Sequence, residues 1–426
     1  MIISSRRRGA WLALVVATSA CQSAHTGPRA ALAPDSLAIR RDIFYLASDA
    51  LAGRLTGTPG NDSAAAYIAR RYATLGLRPM SEGYLQRFVA RPPSHAGPSP
   101  SLPTQNVFAV LPGRDPALRG EYIVIGAHFD HLGTSTDGAL DPDVKGAVRR
   151  GADDNASGTA AVLELARLLA AAPTRRSIIF ANFSGEEEGL LGSAYFVEHS
   201  PVAIDSIAAM LNFDMVGRLK NDKLIVYGIL TAKELPSLLD SATANAGLRI
   251  TAQGDGFGAS DQSSFYAKDI PVLHFFTDLH DDYHRATDVP EHINAAGEAR
   301  VVAVAERVAR EIGDRGPRLT FVRAVAAAPA SSTREGSDVY FGSIPDMAGG
   351  DAPGLRLTGV RAGSPADIAG LKAGDVIVEF GGKSVKDLFE YSNALYSHKP
   401  GDAVSVVVLR GTQRLTLQVK LGKRSG

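Results

Sequence analysis

Apolar residues along this chain recur in two rhythms. Ala65, Ile68, Tyr72 and Leu75 return at helical spacing, with Asp62 or Ser63 placed to cap the start and Gly76 to end the helix. Residues 106–111 and 122–127 are instead short apolar runs that suit strands, and the five prolines within 90–103 mark the stretch before them as loop. From there the two rhythms alternate. A helix over 157–171, stopped by Pro173, is followed by a strand over 177–183, a short helix over 189–199 and strands over 208–214 and 223–227. A helix over 235–246, a strand over 271–276 and a last helix over 296–312 complete the series. Alternation of this kind predicts an α/β fold: a mostly parallel central sheet with helices on both faces, whose ligands bind at the carboxyl ends of the strands.

The two ends of the chain break this pattern. Arg6, Arg7 and Arg8 precede an apolar run over 10–17 that is too short to cross a membrane as an ordinary helix, which is the layout of an export signal. The run leads to Thr18-Ser19-Ala20-Cys21, which resembles a bacterial lipoprotein box with Thr18 in place of the usual aliphatic residue. Cys21 is the only cysteine, so an internal disulfide is excluded, and lipidation of Cys21 accounts for its presence; ordinary signal cleavage is the alternative. Residues 22–37 read as a flexible tether and residues 317–337 as a second linker, both rich in small residues and proline. The expected organisation is a signal over 1–21, the tether, an α/β domain over 38–316, the linker and a small domain over 338–423. Such a protein is exported, and either lipid-anchored facing the periplasm or secreted.

Charge narrows the partners. Lys plus Arg and Asp plus Glu both number 45, and no basic block follows the N-terminal arginines. The chain therefore lacks a nucleic-acid footprint, and a small molecule or a peptide is the expected partner.

Acids and histidines gather where the expected strands finish. His128 and Asp130 follow the run over 122–127, Glu186, Glu187 and Glu188 follow the strand over 177–183, and Asp214 ends the strand over 208–214. His284 lies in Asp282-Tyr283-His284-Arg285-Ala286-Thr287-Asp288, and Gly151-Ala152-Asp153-Asp154-Asn155-Ala156-Ser157-Gly158 opens the long apolar helix. Taken singly, Asp153, Asp154 and Asn155, or the run of three glutamates, read equally well as helix caps. Asp214 resists that reading, because a carboxylate within an apolar strand is costly to bury unless it is paired or bound to a cation. Of the ten histidines, His131, His274, His280 and His292 remain alternatives to His128 and His284. Hydrolysis with two metal ions needs a shared carboxylate, further His and acid ligands, and a base, and this chain has candidates for each. No Gly-x-Ser-x-Gly motif marks a serine nucleophile.

Taken together, these motifs resemble the bacterial co-catalytic di-zinc aminopeptidases, a family related to glutamate carboxypeptidases and glutaminyl cyclases, over about residues 40–312. The resemblance implies an α/β peptidase domain holding two Zn2+ ions and acting on peptide substrates. It implies that Asp154 bridges the two ions, that His128 and Asp214 complete one site, and that Glu187 and His284 complete the other. Glu186 would be the general base and Asp130 would orient His128. By family position Asp261, within a loop over 254–265, would line the site. A glutaminyl cyclase with one zinc and a non-catalytic peptide-binding protein are the competing readings. At the other end, Gly359-Val360-Arg361-Ala362-Gly363-Ser364-Pro365-Ala366 and Ala369-Gly370-Leu371-Lys372-Ala373-Gly374-Asp375-Val376-Ile377 resemble a PDZ domain of bacterial periplasmic proteases. That implies binding of an extended peptide or C-terminus near Tyr340-Phe341-Gly342-Ser343-Ile344, which departs from the usual Gly-Leu-Gly-Phe loop; the alternative is a module that only props the enzyme domain.

Overall fold

The computed structural model describes residues 1–2, 32–81, 83–92, 100–136, 138–141, 143–254, 256, 258–323, 339–345, 353–360, 363–386, 390, 391, 394, 395 and 397–423. The apolar run over 10–17, Cys21, tether residues 22–31 and linker residues 324–337 lie outside them. Among the described residues no helix is long and apolar enough to cross a membrane.

Helix α1 (Ser36–Leu46) opens the α/β domain, capped by Asp35, whose carboxylate accepts from the amides of Leu37 and Ala38. The Asp35 amide in turn donates to Glu164 Oε1 at 2.6 Å and Arg167 donates to the Ala33 carbonyl at 2.8 Å. The domain therefore begins inside the stretch that composition reads as tether. Helix α2 (Pro59–Thr74) starts earlier than its apolar spacing suggests, because Thr58, and neither Asp62 nor Ser63, supplies the cap through the Asn61 amide. It ends before Gly76, where φ is +72°.

Four strands follow: β1 (Arg78–Pro79), β2 (Leu85–Ala90), β3 (Leu102–Leu111) and β4 (Tyr122–His128). Then come α3 (Gly158–Ala171), β5 (Ser177–Phe183), α4 (Leu191–Glu198), β6 (Ile207–Phe213), β7 (Lys223–Tyr227) and α5 (Leu235–Thr243). The domain continues with β8 (Arg249–Gln253), α6 (Gln262–Tyr266), β9 (Val272–Phe276) and α7 (Ala295–Asp314). These strands form one nine-stranded sheet in the order β1-β3-β5-β4-β6-β9-β7-β8, with β2 alongside β3. Its centre is parallel, β4 pairing with β5 and β6, and β6 with β9. Antiparallel pairs flank that centre, β3 with β5 on one side and β7 with β9 on the other.

Every residue of β5 and of β6 is buried, which requires cover on both faces. Alternation along each strand supplies it. Ile123 and Ile125 of β4 point into a core shared with α1, α3 and α7, whereas Val124 points into a second core with Phe196 of α4 and Phe265 of α6. The chain stays on this domain beyond residue 316: Lys233 donates to the Thr320 carbonyl and Val322 to the Thr231 carbonyl. Those pairings extend the domain through residues that composition assigns to the linker.

The C-terminal stretch builds a separate core from Val339, Phe341, Leu357, Ile377, Phe380, Val406, Val408 and Leu421. Its strands are β10 (Val339–Tyr340), β11 (Ser343–Pro345), β12 (Leu355–Val360), β13 (Val376–Phe380), β14 (Lys383–Ser384), β15 (Ala403–Arg410), β16 (Gln413–Lys420) and β17 (Gly422–Lys423). One short helix, α8 (Pro365–Ile368), lies between β12 and β13. All strand pairs here are antiparallel, and β11 lies at an edge of its sheet with β12 on one side.

Candidate metal centre

Strand register brings the acids and histidines together. His128, the last residue of β4, lies opposite Phe183 of β5, so that chain direction carries Glu186 and Glu187 past the same sheet edge. On the other side of β4, β6 ends at Phe213 and is followed by Asp214, whose amide donates to the Phe275 carbonyl of β9. Beyond β9 the chain runs on to His284. Parallel neighbours thus deliver residues distant in sequence to one carboxyl edge, as open α/β sheets do.

The turn ahead of α3 supplies Asp154, and its neighbours fix which acid faces the site. Asp153 turns away: its Oδ1 accepts from the Gly217 amide at 2.7 Å and its Oδ2 faces His280 Nε2 at 3.1 Å. Asn155 ties the turn to the end of β6, its Nδ2 donating to the Phe213 carbonyl at 2.9 Å and its Oδ1 accepting from the Gly158 amide at 2.8 Å. Two glycines make the turn possible. A Cβ on Gly158 would lie 2.2 Å from the Phe213 carbonyl oxygen, and one on Gly151, where φ is +58°, would lie 2.0 Å from the Asp154 carbonyl oxygen. Asp288 completes the hold, accepting from the amides of Asp153 and Asp154 at 2.9 and 3.1 Å.

Asp154 is left with its carboxylate divided. Oδ1 lies 3.4 Å from His128 Nε2, and Oδ2 lies 3.1 Å from His284 Nε2. His128 Nε2 also faces Asp214 Oδ1 at 3.5 Å and Glu186 Oε2 at 3.9 Å. On the other side His284 Nε2 faces Glu187 Oε2 at 3.2 Å. His284 is held in left-handed backbone, φ +54°, and its Nδ1 donates to the Gly138 carbonyl at 2.8 Å, which turns Nε2 towards the acids. The ligand atoms of His128, Glu186 and Asp214 lie within 4.8 Å of one another, as do those of His128, Asp154 and Glu187. Both trios contain His128, yet Glu187 sits closer to His284, so the two sides of Asp154 divide the candidate ligands more sharply than the trios do.

Asp130 is placed differently from the expectation that it hydrogen-bonds His128. It lies 3.7 Å from His128 Nδ1, beyond hydrogen-bond length, and accepts instead from the amides of Glu186 and Glu187 at 3.3 Å each and from the Thr56 hydroxyl at 3.2 Å. Its carboxylate therefore anchors the glutamate loop under the imidazole. Arg54, fully buried, donates to the carbonyls of Leu46, Phe129, Arg150 and Gly151, pinning the backbone beside both His128 and Asp154. Burial lowers its guanidinium to about 10, against the pull of Asp130 and Asp288.

The electrostatics are those of buried acids and imidazoles set against one another. Burial opposes charge on His128, but Glu186 and Asp214 hold the ring well above its usual value. Burial would raise Asp154, yet His128 and His284 bring it well below the usual carboxylate range; burial would raise Glu187 too, and His284 and His131 bring it to about 2. Glu186 goes the other way. Burial, helped by Glu187, Asp214 and Asp261, pushes it well up against the pull of His128. His128 Nε2 and Asp214 Oδ1 are buried without a hydrogen-bond partner, which fits donor atoms built for a metal ion. Glu186 and Asp214 keep the most solvent contact of the cluster, with side chains 11% and 12% exposed, so its open side is theirs.

Asp261 is fully buried, and neither carboxylate oxygen has a hydrogen-bond partner. Burial, then Asp130 and Asp214, lifts it to about 7 against His128. Of the alternative histidines, His131 enters the cluster, with Nδ1 2.7 Å from Glu187 Oε1. His280 pairs with Asp153, the exposed His292 pairs with Asp282, and burial lowers His274 to about 4. Nothing in the sequence marks Arg54 or Asp288 for these roles, since their partners lie up to 97 and 135 residues away.

A parallel-centred sheet with covered faces and a cluster of acids and histidines at its carboxyl edge defines an α/β protein with a candidate metal site where such sheets bind ligands. Residues 106–309 match the family model for peptidase family M28, and residues 332–421 match that for a PDZ domain. The chain thus carries a peptidase family M28 domain followed by a PDZ domain. It is 33% identical over 141 residues to the alkaline phosphatase isozyme conversion protein of Escherichia coli, a match covering 33% of this chain and 40% of that one. It is 31% identical over 228 residues to aminopeptidase YwaD of Bacillus subtilis, covering 49% of this chain and 46% of that one. The chain spans less than half the length of these relatives. Its fold is similar to a Zn-dependent exopeptidase from Parabacteroides distasonis, with TM-score 0.56, 18% identity, and coverage of 66% of this chain and 99% of that one. It is also similar to a glutaminyl cyclase from Bacteroides thetaiotaomicron, with TM-score 0.55, 18% identity, and coverage of 66% and 99%.

Proposed function

We propose that this chain is a zinc-dependent aminopeptidase that removes N-terminal residues from peptides, with two zinc ions held at the Asp154 centre. The observation that carries the reading is the divided carboxylate, with Oδ1 towards His128 and Oδ2 towards His284. Asp154 would lie between the two ions, His128 and Asp214 would hold one, and Glu187 and His284 would hold the other. Bound zinc supplies an acidified water and a polarised carbonyl.

The protein's own residues do the rest. Glu186, on the open side and 3.9 Å from His128, takes the water's proton and returns it to the leaving amine. Asp130 holds the amides of Glu186 and Glu187, so that base and ligand keep a fixed spacing. Export and lipid attachment at Cys21 belong to the same reading and rest on the sequence alone. Strand β11, with an unpaired edge among the described residues, offers the side on which a PDZ domain adds an extended peptide.

The test is incubation of the protein with matched peptides bearing free and acetylated N-termini. Stepwise release of residues from the free amino ends alone is expected; release from carboxyl ends, or none with zinc present, contradicts it.

A further inference from the structure

His131 enters the cluster, yet neither the proposed ligand set nor the base assigns it a task. It is fully buried, with Nδ1 2.7 Å from Glu187 Oε1 and 3.9 Å from Asp154 Oδ2. Its ring sits edge-on to His284, with centroids 5.8 Å apart. Gly151 leaves room for it: a Cβ there would lie 2.4 Å from His131 Cγ.

The proton on this ring can be placed. An ionised carboxylate only accepts, so the 2.7 Å contact requires that Nδ1 carry the hydrogen and donate to Oε1. Glu187 then spends Oε1 on His131, and only Oε2 faces His284 Nε2, at 3.2 Å. His284 is fixed from behind in the same way, its Nδ1 donating to the Gly138 carbonyl. Both members of this half-site are therefore held by a second hydrogen bond, Glu187 through Oε1 and His284 through Nδ1.

We propose that His131 is a positioning residue for the metal centre, one that restrains Glu187 so that a single oxygen, Oε2, is offered to the ion shared with His284 and Asp154. The inference rests on the two-zinc reading above. Its consequence is local: loss of the Nδ1 donor weakens the ion on the Glu187 side and spares the ion on the Asp214 side.

The experiment is zinc affinity by chelator competition on the full chain, for the wild type, His131→Ala and His131→Asn, with melting of each zinc-free protein measured in parallel. Asparagine keeps an N–H donor near the position of Nδ1, whereas alanine removes it. In His131→Ala one of two zinc ions is expected to weaken by about 10- to 100-fold while the other is unchanged. His131→Asn is expected to recover most of that loss, and the zinc-free melting points to stay together. Unchanged affinity for both ions in His131→Ala overturns the proposal, as does an equal weakening of both. If the alanine variant fails to fold, His131→Asn decides: differential weakening of one ion by less than about tenfold supports the proposal, and a loss of that size or more overturns it. A wild type that takes up no zinc removes the parent reading as well, whereas two zinc ions in the wild type with no effect of His131→Ala removes only this one.

Discussion

Asp288 carries the backbone of Asp154: the Asp154 amide donates to Asp288 Oδ2 at 3.1 Å, beside the Asp153 amide at 2.9 Å. The carboxylate that holds the Asp154 turn therefore lies outside the proposed ligand set. Residues of this kind typically change metal affinity by about 10- to 100-fold when removed. Asp288→Ala is expected to weaken zinc binding by about that factor, measured by chelator competition. Wild-type affinity in this variant would show that the turn holds itself.

Under the proposed roles, removal of the Glu186 carboxylate separates chemistry from metal binding. That carboxylate lies 3.9 Å from His128 on the open side, whereas the divided Asp154 carboxylate links the two histidines without it. Glu186→Gln is expected to keep its zinc and to lose activity by about 10²- to 10⁴-fold, since it removes a base and leaves a group of the same shape. Peptide release and elemental analysis on the same sample check both halves. Full turnover contradicts the assignment, and loss of zinc makes Glu186 a ligand.

Glu298, near the start of α7, has both carboxylate oxygens buried without a hydrogen-bond partner. Burial, then Asp153 and Asp42, raises it well above the usual carboxylate range. A group with a raised folded-state pKa binds its proton more tightly in the native state. Its contribution is fully present below the unfolded value of 4.5 and declines as pH climbs towards the folded value. Glu298→Gln, which stays neutral, should gain stability over the wild type above pH 4.5, by about 1.4 kcal/mol per pH unit until the native carboxyl ionises. Urea unfolding of both proteins at several pH values measures this, and a difference independent of pH refutes it.

Much of the fold is legible in the sequence, and the exceptions share a cause. The runs over 177–183 and 223–227 coincide with β5 and β7 because continuous apolar strands bounded by polar residues are hard to read otherwise. Strands β2 and β8 are not legible: Leu85-Gln86-Arg87-Phe88-Val89-Ala90 and Arg249-Ile250-Thr251-Ala252-Gln253 lie near the sheet margins, where only one neighbouring strand is needed and polar residues are tolerated. Helix α1 hides behind a run rich in small residues, although Ala38, Ile39, Ile43 and Leu46 are its buried face.

The candidate site divides similarly. His128, Asp154, Glu186, Glu187, Asp214 and His284 are legible from motifs, and the strand register brings them to one edge. Spacing alone cannot tell Asp153 from Asp154; the Gly217 amide and His280, which claim Asp153, decide it. His131 lies three residues after His128, yet its value depends on Glu187, 56 residues further on. Asp130 is legible as a partner of His128, but its shorter contacts go to the glutamate loop because that loop's amides point at it.

Zinc content per chain, by elemental analysis of the full-length wild type and of Asp154→Ala, tests the two-metal centre most directly. Two zinc ions in the wild type and loss of zinc from the variant are the expected result, because the divided carboxylate is the only acid that faces both His128 and His284 at hydrogen-bonding range among the described residues. A wild type with one zinc or none, or an Asp154→Ala protein that keeps two, contradicts it.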